Sequence, residues 1–177
     1  KIQYLEVNVS KQTDAISKGR ATVAYWTKEE FEKVLTSFYI DDLYEHMSFI
    51  AVWLYYMTGI RVSEGLALKW TDVDLENKKL RIHGTLERRG RAEYEVKNYT
   101  KTVSSQRIIS LDDTTVQLLT KWKQRQEKQH IAPFILSYSK TPLYRSTINR
   151  IIKRHADISG VHPIQAKGLR HSHASYL

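Results

Sequence analysis

Three basic side chains of this sequence have the type and the local setting needed to bind a phosphodiester and to protonate its leaving oxygen. Arg61 follows Gly59, which breaks a helical pattern, and Arg170 follows Gly168 at the start of another predicted helix. Lys101 lies in "YTKTVSSQRI", at the turn into a predicted strand. Two guanidinium groups can clamp the non-bridging oxygens of a phosphodiester, and an ammonium can protonate the leaving oxygen. This chemistry requires neither a metal nor a nucleotide.

Local spacing alone leaves a simpler interpretation open for several of these groups. Glu64 lies three residues after Arg61 and could be its ordinary intrahelical ion-pair partner. His171 and His173 are two residues apart, roughly 200° around a helix, so we expect a helix-packing or capping pair that supports the site, and not metal ligands. Tyr176 shares the predicted helix of Arg170, so we expect it to be a packing residue and not a nucleophile.

Other kinds of chemistry find little support in the sequence. With no cysteine there is no disulfide, zinc-thiolate site or thiol nucleophile. No glycine-rich phosphate loop occurs, so dependence on ATP or NAD is unsupported. Asp72 and Asp74 would share one face of a strand, but no third ligand stands at a suggestive distance from them. We therefore expect neither a cofactor nor a bound metal.

The charge balance favours a polyanionic partner. The 177 residues carry a formal net charge of +9 and contain 41% hydrophobic residues, enough for a folded core. A basic domain with no such partner is the alternative. The longest apolar stretch, "MSFIAVWLYYM", is too short to span a membrane, and no secretory signal occurs, which is compatible with a cytoplasmic protein.

The elements that must position these residues indicate an α+β fold, mostly helical with a small antiparallel sheet of about three strands edged by a basic hairpin. Residues 1–23 are predicted to be a linker and residues 24–177 a domain. Helices are predicted in "TKEEFEKVLTSF", "LYEHMSFIAVWLYYM", "RVSEGLALKW", "DDTTVQLLTKWKQRQEKQH", "STINRIIKRHADI" and "GLRHSHASYL", and strands in "DVDLENKKLRIHG" and "SQRIISL". The stretch "PFILSY" is predicted to be a strand or a buried connection.

Three ordered stretches resemble the catalytic domain of the tyrosine recombinases, the integrase family of phages and conjugative transposons. "YMTGIRVSEGLALKWTDVDLENKKLRI" resembles the family's first-arginine box, "TKTVSSQRIISL" its β-hairpin lysine segment, and "KGLRHSHASYL" its HxxR box. The resemblance implies a DNA breaking-rejoining fold and transesterification through a 3′-phosphotyrosyl intermediate. The implied reaction needs no ATP or metal, because each bond broken is replaced by one of similar energy.

The resemblance also implies a role for each matching residue. Arg61 and Arg170 would hold the scissile phosphate, Lys101 would protonate the leaving 5′ oxygen, and Glu64 would support Arg61. Lys167 stands where the family has histidine; its ammonium can bind phosphate but is a poor base near neutral pH.

By the same analogy, we expect the nucleophilic tyrosine to lie beyond Leu177, and a core-binding domain to precede the linker. The expected partner is double-stranded DNA, with a monomer in isolation, a tetramer in the synaptic complex and a location at the bacterial nucleoid. Two other interpretations remain: a catalytically inactive DNA-binding relative of this fold, and a basic domain that binds RNA or an acidic protein.

Overall fold

The computed structural model describes residues 23–90, 93–98, 106–131 and 133–176. Six α-helices are found in this part of the chain: α1 Lys28–Leu35, α2 Leu43–Thr58, α3 Val62–Ala67, α4 Asp113–Lys128, α5 Arg145–Ser159 and α6 Ala166–Tyr176. The strands are β1 Val73–Asp74, β2 Lys79–Ile82, β3 Gly84–Arg88, β4 Tyr94–Asn98 and β5 Arg107–Ser110, and a single 3₁₀ turn covers Trp70–Asp72. The α+β prediction is confirmed.

Side-chain caps set the starts of three of the predicted helices, α1, α2 and α4. Thr27 and Glu30 form a reciprocal capping box at α1, in which each side chain accepts from the other's backbone N–H. Asp42 accepts from the backbone at the start of α2. At α4 the cap is Asp112, which accepts from the Thr115 N–H at 2.9 Å and so leaves Asp113 as the first helical residue.

Helix α2 forms the centre of the core and packs against α3, α4, α5 and α6. Nine of its sixteen residues are buried, which explains why its sequence is apolar on most of its circumference instead of along one stripe. Its C-cap, Gly59, has a φ of 58°, a left-handed conformation that costs glycine little. The chain therefore turns sharply after α2, directly before Arg61.

The strands form two small antiparallel units. The order β1-β2-β5 makes the predicted three-stranded sheet, with Leu80 opposite both Val73 and Ile109. The basic hairpin is a separate two-stranded unit, in which β3 pairs with β4 from Gly84 to Arg88. The hairpin packs on α3, so it belongs to the same side of the fold as Arg61.

The segment between α4 and α5 is a buried connection and not a strand, which decides between the two predicted alternatives. Residues Phe134 to Ser137 are buried, and Phe134 makes only an isolated bridge with Lys69. Gln126 holds the segment in place by donating to the carbonyls of Phe134, Ile135 and Ser137. Trp122 Nε1 also donates to Ile135 O, at 2.7 Å.

No helix in the described part of the chain is long and apolar enough to cross a membrane. Residues 1–22 lie outside the described residues, so the predicted boundary between a linker and a domain stays a prediction.

Candidate active site

A cleft of about 440 Å³ lies where the start of α3, the start of α5 and the first turns of α6 meet. Four basic side chains line it: Arg61, Arg145, Lys167 and Arg170. The remaining lining residues are Ile60, Val62, Ser63 and Ala166, so no carboxylate of the described residues lines the cleft. The structure therefore brings together three of the four residues that the sequence predicted to act on phosphate, from segments more than 100 residues apart.

Arg61 is held at the cleft by a carboxylate underneath it. Glu64 is fully buried, and its Oε1 accepts from Arg61 Nη1 at 3.0 Å, whereas its Oε2 accepts from the Arg61 backbone N–H at 2.7 Å. The side chain of Arg61 remains 59% exposed. Glu64 thus fixes both the backbone and the guanidinium of Arg61, while most of the guanidinium faces solvent and is available to an anion.

Tyr55 of α2 supports the short helix that carries Glu64. Its hydroxyl donates to Val62 O at 2.9 Å, and burial, reinforced by the nearby Glu64 charge, raises the pKa of Tyr55 well above its usual range. The ring lies so close to Gly65 that an added Cβ there would be 2.5 Å from Tyr55 Cε1. Only glycine at this position lets α3 lie flat on α2.

Lys167 and Arg170 both lie on α6, which begins at Ala166, two residues earlier than the sequence predicted. Asn149 of α5 accepts from the Ala166 N–H at 3.0 Å and so fixes the start of α6. Gly168 is therefore a helical residue and not a break; a Cβ there would lie 2.4 Å from Ala24 O. Its lack of a side chain lets the chain before α1 cross the first turn of α6.

Arg145 is a cleft residue that the sequence analysis missed. It is the first residue of α5, and no acidic residue occupies the first turn of that helix. Arg88 of the hairpin fixes the chain just before it: its guanidinium stacks on the Tyr144 ring at 4.0 Å and donates to Pro142 O at 2.6 Å. A basic residue directly before the predicted helix "STINRIIKRHADI" was the available signal.

Arg107 is a second residue that the sequence analysis missed. Its Nη1 and Nη2 donate to Glu64 Oε1 and Oε2 at 3.2 and 2.9 Å, a two-pronged ion pair with the carboxylate that also holds Arg61. It occurs in the predicted strand "SQRIISL", and no local pattern links it to a glutamate 43 residues away.

The two histidines predicted to support the site differ from each other in setting. The His173 ring packs on Gly59, two residues before Arg61, and its Nδ1 is buried with no hydrogen-bond partner among the described residues. His171 is exposed on the same helix. Lys101 lies outside the described residues, as does the side chain of Tyr176, so their predicted roles are not tested here.

The sequence-based placement of Asp72 and Asp74 on one strand face is wrong. Asp72 ends the 3₁₀ turn and is buried beside His83 and Arg81, at 2.9 and 3.3 Å. Asp74 is exposed in β1 and binds Asn77. Among the described residues, no group of three or more histidine, aspartate or glutamate side chains is arranged to hold a metal ion.

The cleft is built to bind an anion. Within the described part of the chain, Arg145, Lys167 and Arg170 have no acidic side chain within ion-pair distance, and only Arg61 is partly neutralised, by Glu64. Guanidinium and ammonium groups donate hydrogen bonds and accept none, so they match the non-bridging oxygens of a phosphodiester. Such fixed cations stabilise the additional negative charge of a pentacoordinate phosphorane.

The model of the phage integrase family matches residues 25–177 of this chain. The ICEBs1 integrase of Bacillus subtilis (strain 168) is 28% identical over 183 residues, covering 99% of this chain and 48% of that relative. The integrase of Staphylococcus phage L54a is 33% identical over 131 residues, covering 68% of this chain and 37% of that relative. The chain thus spans about half or less of the length of these relatives.

Solved structures show the same fold. The Tn1549 transposon integrase in complex with transposon right end DNA superposes with a TM-score of 0.72 at 20% identity, covering 97% of this chain and 57% of that one. A lambda integrase dimer bound to a COC′ core site gives a TM-score of 0.67 at 18% identity, covering 96% and 45%. XerA recombinase gives 0.66 at 20% identity, covering 92% and 52%.

Proposed function

Because this chain belongs to the phage integrase family, we propose that it is the catalytic domain of a site-specific DNA recombinase that integrates and excises a phage or another mobile element. The observation that carries the proposal is the convergence of Arg61, Arg145, Lys167 and Arg170 on one cleft. Double-stranded DNA supplies the anion that such a cleft fits, since its backbone repeats a phosphate at every nucleotide.

In the proposed reaction, Arg61 and Arg170 bind the non-bridging oxygens of the scissile phosphate. A tyrosine hydroxyl loses its proton to solvent and attacks the phosphorus, a 3′-phosphotyrosyl bond forms as the bond to the 5′ oxygen breaks, and that oxygen takes a proton to become a hydroxyl. The 5′ hydroxyl of a partner strand then reverses the sequence of bonds. Lys167 adds a phosphate contact from the first turn of α6, where backbone N–H groups also favour an anion.

We expect Lys101 to supply the proton to the 5′ oxygen. It lies three residues after Asn98, the end of β4, and six before Arg107, the start of β5. Because Arg107 binds the carboxylate beneath Arg61, this position in the sequence supports the proposed role of Lys101 at the cleft.

Exchange of strands between two duplexes requires four strand cleavages. We therefore propose a tetramer of the complete protein on paired attachment sites, formed from monomers that bind DNA separately. Because the substrate is chromosomal DNA, we expect the protein at the nucleoid in the bacterial cytoplasm.

The test uses the complete protein encoded by the gene and a nicked duplex that carries its attachment site. A covalent protein–DNA complex that survives denaturation is the expected product. Arg61→Ala and Arg170→Ala should each reduce its formation by about a hundredfold or more, since each removes charge stabilisation of the transition state. Lys101→Ala should slow cleavage, and a 5′-bridging phosphorothioate should restore much of the rate because a thiolate leaves without protonation.

Arg81→Ala is the matched control for Arg61→Ala. Arg81 is 61% exposed and pairs with the buried Asp72, just as Arg61 is 59% exposed and pairs with the buried Glu64, but Arg81 does not line the cleft. The Arg81→Ala protein should cleave DNA at the parental rate. A protein that binds its attachment site without ever forming the covalent complex would be the inactive relative. Preferential binding of structured RNA over duplex DNA would overturn the recombinase proposal altogether.

A further inference from the structure

Glu64 is shared by two arginines from different parts of the fold. Its Oε1 accepts from Arg61 Nη1 and Arg107 Nη1 at 3.0 and 3.2 Å. Its Oε2 accepts from the Arg61 backbone N–H and from Arg107 Nη2 at 2.7 and 2.9 Å. Among the described residues, four donors thus converge on the two carboxylate oxygens. The carboxylate is completely removed from solvent, so every one of these bonds replaces lost hydration.

The two arginines divide their contacts unequally. Arg107 uses both Nη groups in a parallel, two-pronged pair and is 32% exposed. Arg61 gives the carboxylate one Nη group and is 59% exposed. A buried carboxylate requires strong compensation, and a two-pronged guanidinium is the strongest partner that a side chain offers. Because Arg107 meets that requirement, Glu64 orients Arg61 without occupying both of its Nη groups.

Loss of Arg107 would change this balance. Of the two arginines that the described residues place against Glu64, Arg61 alone would remain, and the most favourable arrangement would draw its guanidinium into the two-pronged position. Arg61 would then point at the carboxylate and away from the cleft. The Arg61 side chain would still be present, but its two Nη groups could no longer contact the same phosphate.

From this geometry we infer that Arg107 is a positioning residue for the phosphate site: it neutralises Glu64 and thereby leaves Arg61 free to bind the scissile phosphate. This inference rests on the proposed function for its catalytic consequence, but its structural part does not require cleavage. It also links β5, which follows the segment containing Lys101, to α3, whose N-cap residue is Arg61.

The experiment compares Arg107→Met, Arg107→Lys and the control Arg81→Met in the complete protein. Arg81 lies on β2, the strand paired with β5, and also binds a buried carboxylate, Asp72, so its removal reproduces the loss of an ion pair on this sheet. Single-turnover cleavage at saturating DNA should fall about tenfold or more in Arg107→Met, with attachment-site affinity changed by less than about threefold. Arg81→Met should cleave at the parental rate.

Combination with Glu64→Gln tests the route of action. If Arg107 acts through Glu64, then adding Arg107→Met to Glu64→Gln should lower the cleavage rate by less than about threefold, because the carboxylate charge is already gone. Full multiplication of the two effects would overturn the inference. Arg107→Lys keeps the charge without the fork and should retain the parental melting temperature while cleaving at an intermediate rate. If Arg107→Met does not fold, parental cleavage by Arg107→Lys would overturn the inference.

A readout without DNA separates this inference from the proposed function. The side-chain Nε–Hε NMR resonance of Arg61, assigned by its absence in Arg61→Lys, should shift in Arg107→Met and in Arg107→Lys but not in Arg81→Met. A shift in a protein that never cleaves DNA would support the positioning role while the recombinase proposal failed. An unchanged Arg61 resonance in both Arg107 variants would overturn the positioning role even in an active recombinase.

Discussion

Gly59 offers a sharp test of how the helix containing Arg170 contacts the loop containing Arg61. The residue has a φ of 58°, and a Cβ added to it would lie 2.5 Å from His173 Cδ2 and 3.0 Å from His173 Cγ. Gly59→Ala therefore imposes two separate costs. A left-handed conformation costs a non-glycine residue about 1–2 kcal/mol, and forcing a methyl group into a packed contact costs about 1–3 kcal/mol more.

Gly160 provides the matched control. It is the C-cap of α5, has a φ of 66°, and a Cβ there would meet only Lys33 Nζ, at 3.9 Å. Gly160→Ala should therefore cost the conformational part alone, about 1–2 kcal/mol, against about 2–5 kcal/mol for Gly59→Ala. The entropy that alanine removes from the unfolded chain is the same in both variants and cancels from the comparison.

Urea unfolding of the two variants, each with and without His173→Ala, measures the conformational cost and the packing cost separately. The excess cost at Gly59 should largely disappear in the His173→Ala background, because the atoms that the new methyl group meets are gone. Equal destabilisation by Gly59→Ala and Gly160→Ala would refute the close packing of His173 on this loop. So would an excess at Gly59 that persists without the imidazole ring.

Three further predictions follow from the described residues. Gly65→Ala should destabilise the protein by about 1–3 kcal/mol because its Cβ would meet the Tyr55 ring at 2.5 Å, whereas Gly90→Ala, with no atom closer than 3.8 Å, should be neutral within about 0.5 kcal/mol in the same urea assay. Burial, reinforced by the Arg154 charge, lowers the pKa of His155 to about 4. The unfolded chain then binds the extra proton, so the free energy of unfolding should fall as the pH drops from 6.5 to 4. The fall should be smaller than the roughly 3 kcal/mol of the full shift, because the Glu45 carboxylate lies 3.2 Å from His155 Nε2 and favours the protonated ring, and His155→Gln, but not His130→Gln, should flatten the slope. Lys167→Ala should make the negative slope of log Kobs against log salt for duplex binding less steep by about 0.9. An unchanged slope would show that Lys167 does not contact DNA, and Lys128→Ala on α4 is the control.

Local sequence patterns were sufficient for the elements whose signals are local. Thr27, Asp42 and Asp112 cap their helices through local signals, because a capping side chain and the N–H groups it binds lie within three residues of each other. The start of α6 was predicted two residues late because Gly168 looked like a break. Glycine is required at position 168 because of a residue 144 positions away: Ala24 O leaves no room there for a side chain.

The site divides in the same way. Arg61, Lys167 and Arg170 could be identified from their motifs, and the structure places them in one cleft. Arg107 and Arg145 could not, because what distinguishes them is their three-dimensional neighbours: a buried carboxylate on another element for Arg107, and the other cations of the cleft for Arg145. An arginine at the start of a strand or a helix has no local feature that marks such a neighbour.

The composition of the cleft bears on how a tyrosine could become a nucleophile there. Among the described residues, the charged groups that line the cleft are three guanidiniums and one ammonium, and a guanidinium stays protonated and accepts no proton near neutral pH. Nearby positive charges favour the ionised form of an acid, so a tyrosine hydroxyl entering this cleft would have its pKa lowered from about 10. The same charges that bind the phosphate would thus assist the attacking group as well. If Lys167 occupies the position of the histidine that the resemblance implies, it keeps a cation in place but supplies no imidazole base, and we propose that the phenolate is then activated mainly by electrostatic stabilisation.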